Sequence, residues 1–120
     1  MNRFRITILL AALTGVLAIA APSQAALPKL TGTVGPGFTI TLTKLGKKVT
    51  LLKAGTYSIT VTDKSNIHNW HLKGPGRVNK EITGIGFVGK KTAIVKFVKG
   101  KYTFVCDPHF TTMKGSFTVT

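Results

Sequence analysis

Cysteine is nearly missing from this 120-residue chain: Cys106 stands alone. No internal disulfide can form, so an apolar core has to hold the fold without covalent staples. Acid is almost as scarce, with Asp63, Glu81 and Asp107 set against 17 lysines and arginines, a formal charge of +14. Glu81 has no partner in the sequence that suggests acid–base work. Histidine is limited to His68, His71 and His109. Beyond the first 25 residues no apolar run approaches the roughly 20 residues that span a bilayer. Nor does any segment there keep a 3.6-residue period, which excludes a helical architecture. Basic charge without a recognition helix or an array of stacking aromatics argues against nucleic acid as a partner.

The exception to the missing apolar runs is the start. Arg3 and Arg5 precede an apolar stretch from Ile6 to Ala21, followed by Pro22-Ser23-Gln24-Ala25 with small residues where a signal peptidase reads. The expectation is a signal peptide over 1–25 and a single exported domain over 26–120; an uncleaved segment would instead tether the domain to a membrane. Without Arg3 and Arg5 the domain carries fifteen basic residues against three acids, a balance of +12. Charge of that size acts at long range on anionic partners, here an anionic cell envelope or a protein with an acidic surface.

Strand patterning fills the rest. Phe38, Ile40 and Leu42 alternate with threonines, as do Tyr57, Ile59 and Val61 with Ser58, Thr60 and Thr62; Ala93, Val95 and Phe97, then Phe117 and Val119, repeat the pattern. Turn signals such as Gly35-Pro36-Gly37, Leu45-Gly46-Lys47, Gly74-Pro75-Gly76 and Lys99-Gly100-Lys101 separate them. The predicted fold is all-β, an antiparallel Greek-key sandwich of seven to eight strands. Val78–Gly89 is the least regular stretch and reads as a long connection that can include an edge strand.

The alternation continues through Tyr102, Phe104 and Cys106, which aims the thiol between the sheets at the end of its strand. Asp107-Pro108 stops that strand, because proline has no N–H and restrains the residue before it. His109 follows at three residues and Met113 at four more. A thiolate, an imidazole and a thioether thus share one short loop. Two histidines and a cysteine with a weak methionine form the set associated with electron-transfer copper, so a second histidine is needed. Ile67-His68-Asn69-Trp70-His71 offers two, three apart and facing opposite ways on a regular strand, and periodicity does not choose between them.

Gly100–Val119, reading Gly-Lys-Tyr-Thr-Phe-Val-Cys-Asp-Pro-His through Met-Lys-Gly-Ser-Phe-Thr-Val, resembles the C-terminal metal loop of the cupredoxins, above all the plastocyanin-like blue copper proteins. His68-Asn69 resembles the His-Asn pair that carries that family's first ligand. The resemblance implies one copper ion per chain held by His68, Cys106 and His109, with Met113 as axial ligand. It also implies that the backbone near Asn69 supports the cysteine sulfur and ties the two loops together. His71 is then left exposed or hydrogen-bonded near the site, Trp70 packs, and Asp107 is a turn residue. Three departures stand out. Three residues rather than four separate His109 from Met113, Val105 replaces the usual tyrosine before the cysteine, and the surface is basic where plant plastocyanins are acidic.

The function expected is one-electron transfer by a monomer, with an acidic redox protein as partner and Pro108 and Phe110 forming an apolar rim beside His109. The alternative is a copper carrier or storage protein with the same ligands and no redox duty. An enzyme is not expected: multicopper oxidases and copper nitrite reductases need further histidine-rich centres, and the inward-facing thiol does not suit Cys–His hydrolysis.

Overall fold

The computed structural model describes Ala12, residues 14–20 and residues 25–120. The charged start and the residues just before Ala25, on which the signal-peptide expectation rests, lie outside the described residues. Among those described, no helix is long and apolar enough to cross a membrane.

Period-two alternation becomes two five-stranded sheets packed face to face. The first contains β1 (Lys29–Val34), β2 (Ile40–Lys44), β3 (Lys47–Lys48), β5 (Gly55–Asp63) and β8 (Gly89–Phe97), in the order β3-β2-β1-β5-β8. The second contains β4 (Leu51–Leu52), β6 (Trp70–Gly74), β7 (Val78–Thr83), β9 (Gly100–Val105) and β10 (Lys114–Val119), in the order β4-β10-β9-β6-β7. Eight strands have five residues or more; β3 and β4 are two-residue pairings that the alternation does not signal. The chain crosses between the sheets after β3, β4, β5, β7 and β8, the connectivity of a Greek-key sandwich. Most pairings are antiparallel, but β1 runs parallel to β5 and β4 parallel to β10. Alternation reports which face a residue occupies and carries nothing about strand direction, so these two pairings were invisible in the sequence.

The inward faces interlock as the pattern requires. Leu30, Val34, Leu42, Ile59, Val61, Val95 and Phe97 from one sheet meet Trp70, Leu72, Tyr102, Phe104 and Phe117 from the other, all buried. Trp70 stacks on Phe104 with centroids 5.2 Å apart, and Tyr102 on Phe117 at 5.5 Å; such pairs add to the burial of their area. Gly32 in β1 makes room for this layer, since a Cβ there would lie 2.9 Å from Val61 and 3.1 Å from the Trp70 ring. The indole N–H is not wasted: it donates to Thr41 O at 3.2 Å. Val78–Thr83 is the edge strand the irregular stretch left room for, followed by a turn before β8.

Phe38 departs from the pattern. It precedes β2 and is 63% exposed, because the chain bends at Gly35, whose N–H bonds Thr39 O at 2.9 Å. The bend places residues 35–39 at the end of the sandwich where residues 64–69 and 106–113 also lie.

Candidate metal centre

Cys106 sits where β9 stops, fully buried, its N–H donating to Met113 O at 2.9 Å across the hairpin with β10. Pro108 lies in a single 3₁₀ turn, Asp107–His109, suited to a first turn because its missing N–H has no partner to lose. His109 N–H donates to Cys106 O at 3.1 Å and Met113 N–H to His109 O at 2.8 Å. The loop therefore closes on itself, and the imidazole of His109 is folded back beside the thiol. Met113, also fully buried, ends the loop in the same core.

His68 comes from residues 64–69, between β5 and β6, and not from a strand. This loop is pinned to its neighbours: Lys64 N–H donates to Val34 O at 2.9 Å, and Gly86 N–H to Asn66 O at 3.0 Å. Buried Asp63 accepts from Ser65 N–H at 3.1 Å. His68 Nε2 is 3.0 Å from Gly37 O, a contact that requires the proton on Nε2 and leaves the Nδ1 lone pair free.

Three donor atoms then converge. His68 Nδ1 and His109 Nδ1 are 3.1 Å apart, and Cys106 Sγ lies 3.6 Å from the first and 3.5 Å from the second. Donors held about 2.0–2.3 Å from a common metal ion stand about 3.5 Å from one another, so the spacing suits a shared ion. One thiolate and two neutral imidazoles are a soft-to-borderline set that suits copper. His68 and Cys106 are buried and His109 is half-buried, leaving one imidazole edge toward solvent. Phe38 caps the pair edge-on, 5.5 Å from the His68 ring and 5.0 Å from that of His109. Phe110 is exposed beside them, as is Pro108.

His71 takes no part in this triangle. It lies on β6 facing outward, with Nδ1 2.7 Å from Asp107 Oδ2. Here one expectation is corrected, since Asp107 is more than a turn residue, and Glu81, for which no acid–base partner was expected, meets an amide. Asn69, buried beside His68, accepts the Asp107 N–H on Oδ1 at 2.7 Å and donates from Nδ2 to Asp107 Oδ2 and Glu81 Oε2, each at 2.7 Å. The tie between the two ligand-bearing loops thus runs through the Asn69 side chain. Burial pushes the Asp107 carboxyl up, but the hydrogen bonds from Asn69 and His71 and the charges of His71 and Lys73 outweigh it and hold it below the ordinary value. His71, Glu81 and Asp107 each bring one donor atom within 4.8 Å of the others, a second mixed cluster on the outer face.

Sequence reasoning reached His68, Cys106, His109, Met113 and Asn69. It missed Phe38, the Gly37 carbonyl and Glu81. Gly35-Pro36-Gly37 marked a turn, which hinted that the alternation through Phe38 would break; nothing local pointed Glu81 at Asn69.

Comparison with known proteins agrees with this geometry. Residues 43–120 match the family of copper-binding proteins described as plastocyanin/azurin, a span that includes His68, Cys106, His109 and Met113. No curated protein sequence matches the chain. Among solved structures, a rusticyanin, described as a copper protein, superposes with a TM-score of 0.56 at 20% identity, covering 77% of this chain and 76% of that one. Rusticyanin from Thiobacillus ferrooxidans gives 0.53 at 24% identity over 77% and 76%. A reduced tryptophan-to-tyrosine mutant of amicyanin gives 0.53 at 16% identity over 81% and 87%. These likenesses establish the fold, and the family match extends over most of the chain: this protein belongs to the plastocyanin/azurin family of copper-binding proteins, and its cofactor is copper.

Proposed function

We propose that the protein is an exported one-electron carrier, with His68, Cys106 and His109 holding copper through Nδ1, Sγ and Nδ1 and the Met113 sulfur as a weak fourth ligand. The observation that carries this reading is the convergence of those three donor atoms, 3.1–3.6 Å apart, at the buried end of the sandwich. Copper bound there supplies a Cu(II)/Cu(I) couple. The chain's part is to keep the donors in place for both oxidation states. Hydrogen bonds within residues 106–113, the His68–Gly37 contact and the Asn69 tie are all formed by the polypeptide itself, so little has to move when an electron arrives. Phe38 covers the ring of His109, whose half-exposed edge is the shortest way from the site to a partner.

The partner in this reading is a redox protein with an acidic surface. Lys73, Lys101 and Lys114 line a groove on the outer face of the second sheet, with Val105 and Phe110 beside them. Val105 is bonded to Cys106, so a partner seated there would lie one residue from the thiolate. The signal-like first 25 residues support export to the periplasm or the exterior. Non-enzymatic function agrees with the single centre and with the absence of further histidines beyond His71.

Addition of Cu(II) to the apoprotein tests the site. An intense blue charge-transfer band is expected, lost in Cys106→Ser; a colourless complex refutes the ligand set. Reversible one-electron voltammetry of the blue form then distinguishes an electron carrier from a copper carrier without a redox duty.

A further inference from the structure

Two of the chain's three carboxylates, Glu81 and Asp107, meet at one buried amide. Asn69 Nδ2 donates to both, and Asn69 Oδ1 takes the Asp107 N–H. A β-bulge brings this about. Trp70 pairs with Thr83 while His71 pairs with Glu81, so the ladder skips Ile82, and the otherwise alternating strand has Ile82 and Thr83 buried in succession. Bulges of this kind re-aim a side chain, and here it is Glu81 that points at Asn69. On a surface crowded with lysines, Lys73 comes within 3.7 Å of Asp107, and Glu81 has no ion pair among the described residues.

We propose that Glu81 is a positioning residue of the copper centre: it locks the Asn69 amide in the orientation that joins the two ligand loops, and its charge favours the oxidised form of the site. An amide has two orientations. Flipped, Asn69 would aim Nδ2 at the Asp107 N–H and Oδ1 at two carboxylates, opposing like to like at all three contacts. Glu81 deepens the preference from a different strand, so the lock does not depend on the loop it steadies. The electrostatic sign follows from the chemistry. Cu(II) carries one more positive charge than Cu(I), so a nearby carboxylate stabilises it and lowers the potential, while the Lys73 ammonium opposes that effect. The charge effect rests on the copper assignment above; the lock does not.

Three variants of the full chain test this. Glu81→Gln keeps an acceptor oxygen and removes the charge. It is expected to leave the visible spectrum unchanged and shift the Cu(II)/Cu(I) equilibrium about threefold toward Cu(I), about 28 mV upward at 59 mV per tenfold. Lys73→Gln is expected to move the potential the other way. In the copper-free protein, Glu81→Ala is expected to speed exchange of the Asp107 backbone N–H about tenfold, read by NMR, while Glu81→Gln leaves it slow. An unmoved potential in Glu81→Gln, or shifts of one sign in both charge variants, overturns the tuning role. Unchanged exchange in Glu81→Ala overturns the lock, and that measurement stands whether or not the copper ligands are correctly assigned.

Discussion

The side chain of Asn69 accepts a hydrogen bond from the backbone N–H of Asp107 at 2.7 Å, joining positions 38 residues apart in the chain. One partner follows His68 and the other follows Cys106, so the contact sets the distance between a nitrogen and a sulfur donor before any metal enters. Both groups lie at the end of the core, where an unmade bond would leave a polar atom without water to replace it. The two loops have no ladder of their own to align them. A single amide with three bonds takes that place.

Removing the amide should therefore cost more than a surface substitution would. Asn69→Ala is expected to destabilise the apoprotein by about 2–3 kcal/mol, measured by denaturant unfolding, because three hydrogen bonds go and the half-buried Asp107 N–H is orphaned. Asn69→Asp is expected to cost more still, since it sets a third carboxylate against Glu81 and Asp107.

Phe38 makes the opposite case, an exposed residue whose contacts are with the metal end. In Phe38→Ala the melting temperature of the apoprotein is expected to stay nearly constant, since the side chain is mostly in water already. Loss of copper to an external chelator is expected to quicken, because both imidazole rings lose their edge-on cover. Equal rates in the two proteins would show that Phe38 does not guard the site.

Gly74 ends β6 against the Tyr102 ring, and a Cβ there would drive into that ring. The ring is held from both ends, stacked on Phe117 and donating from its hydroxyl to Pro75 O at 2.8 Å, so it has little freedom to yield. Gly74→Ala is expected to lower stability by about 1–3 kcal/mol, the usual cost of overpacking, with the blue band unaltered.

The basic groove predicts a salt-dependent partner. Replacing Lys73, Lys101 and Lys114 together by glutamate is expected to slow association with an acidic redox protein at least about tenfold at low salt. The difference should shrink as salt rises and the Debye length falls to about 3 Å at 1 M. Stopped-flow rates at several ionic strengths decide it, and a salt-independent rate would place docking elsewhere.

Much of the sandwich was legible because burial on a pleated sheet follows a period of two, and Tyr57-Ile59-Val61 or Tyr102-Phe104-Cys106 show it without interruption. Phe38 was misplaced by the same rule, since alternation continues on paper past the point where the chain bends at Gly35. The parallel pairings β1–β5 and β4–β10 left no trace either, because the two faces of a strand look alike whichever way its neighbour runs.

Within the site, the members that lie close in the chain could be read directly: Cys106, His109 and Met113 share one loop, and the residue types alone restrict the metal they suit. What meets across the chain is a matter of the packed structure. It sets His68, which the likeness of His68-Asn69 to the family's pair had singled out, with Nδ1 beside Cys106, and faces His71 outward to Asp107. It also brought Glu81 from an edge strand onto Asn69 through a one-residue bulge. The reason is physical. Local spacing is held by covalent geometry, whereas these encounters depend on strand register, which is a property of the packed sheets and not of any short stretch of sequence.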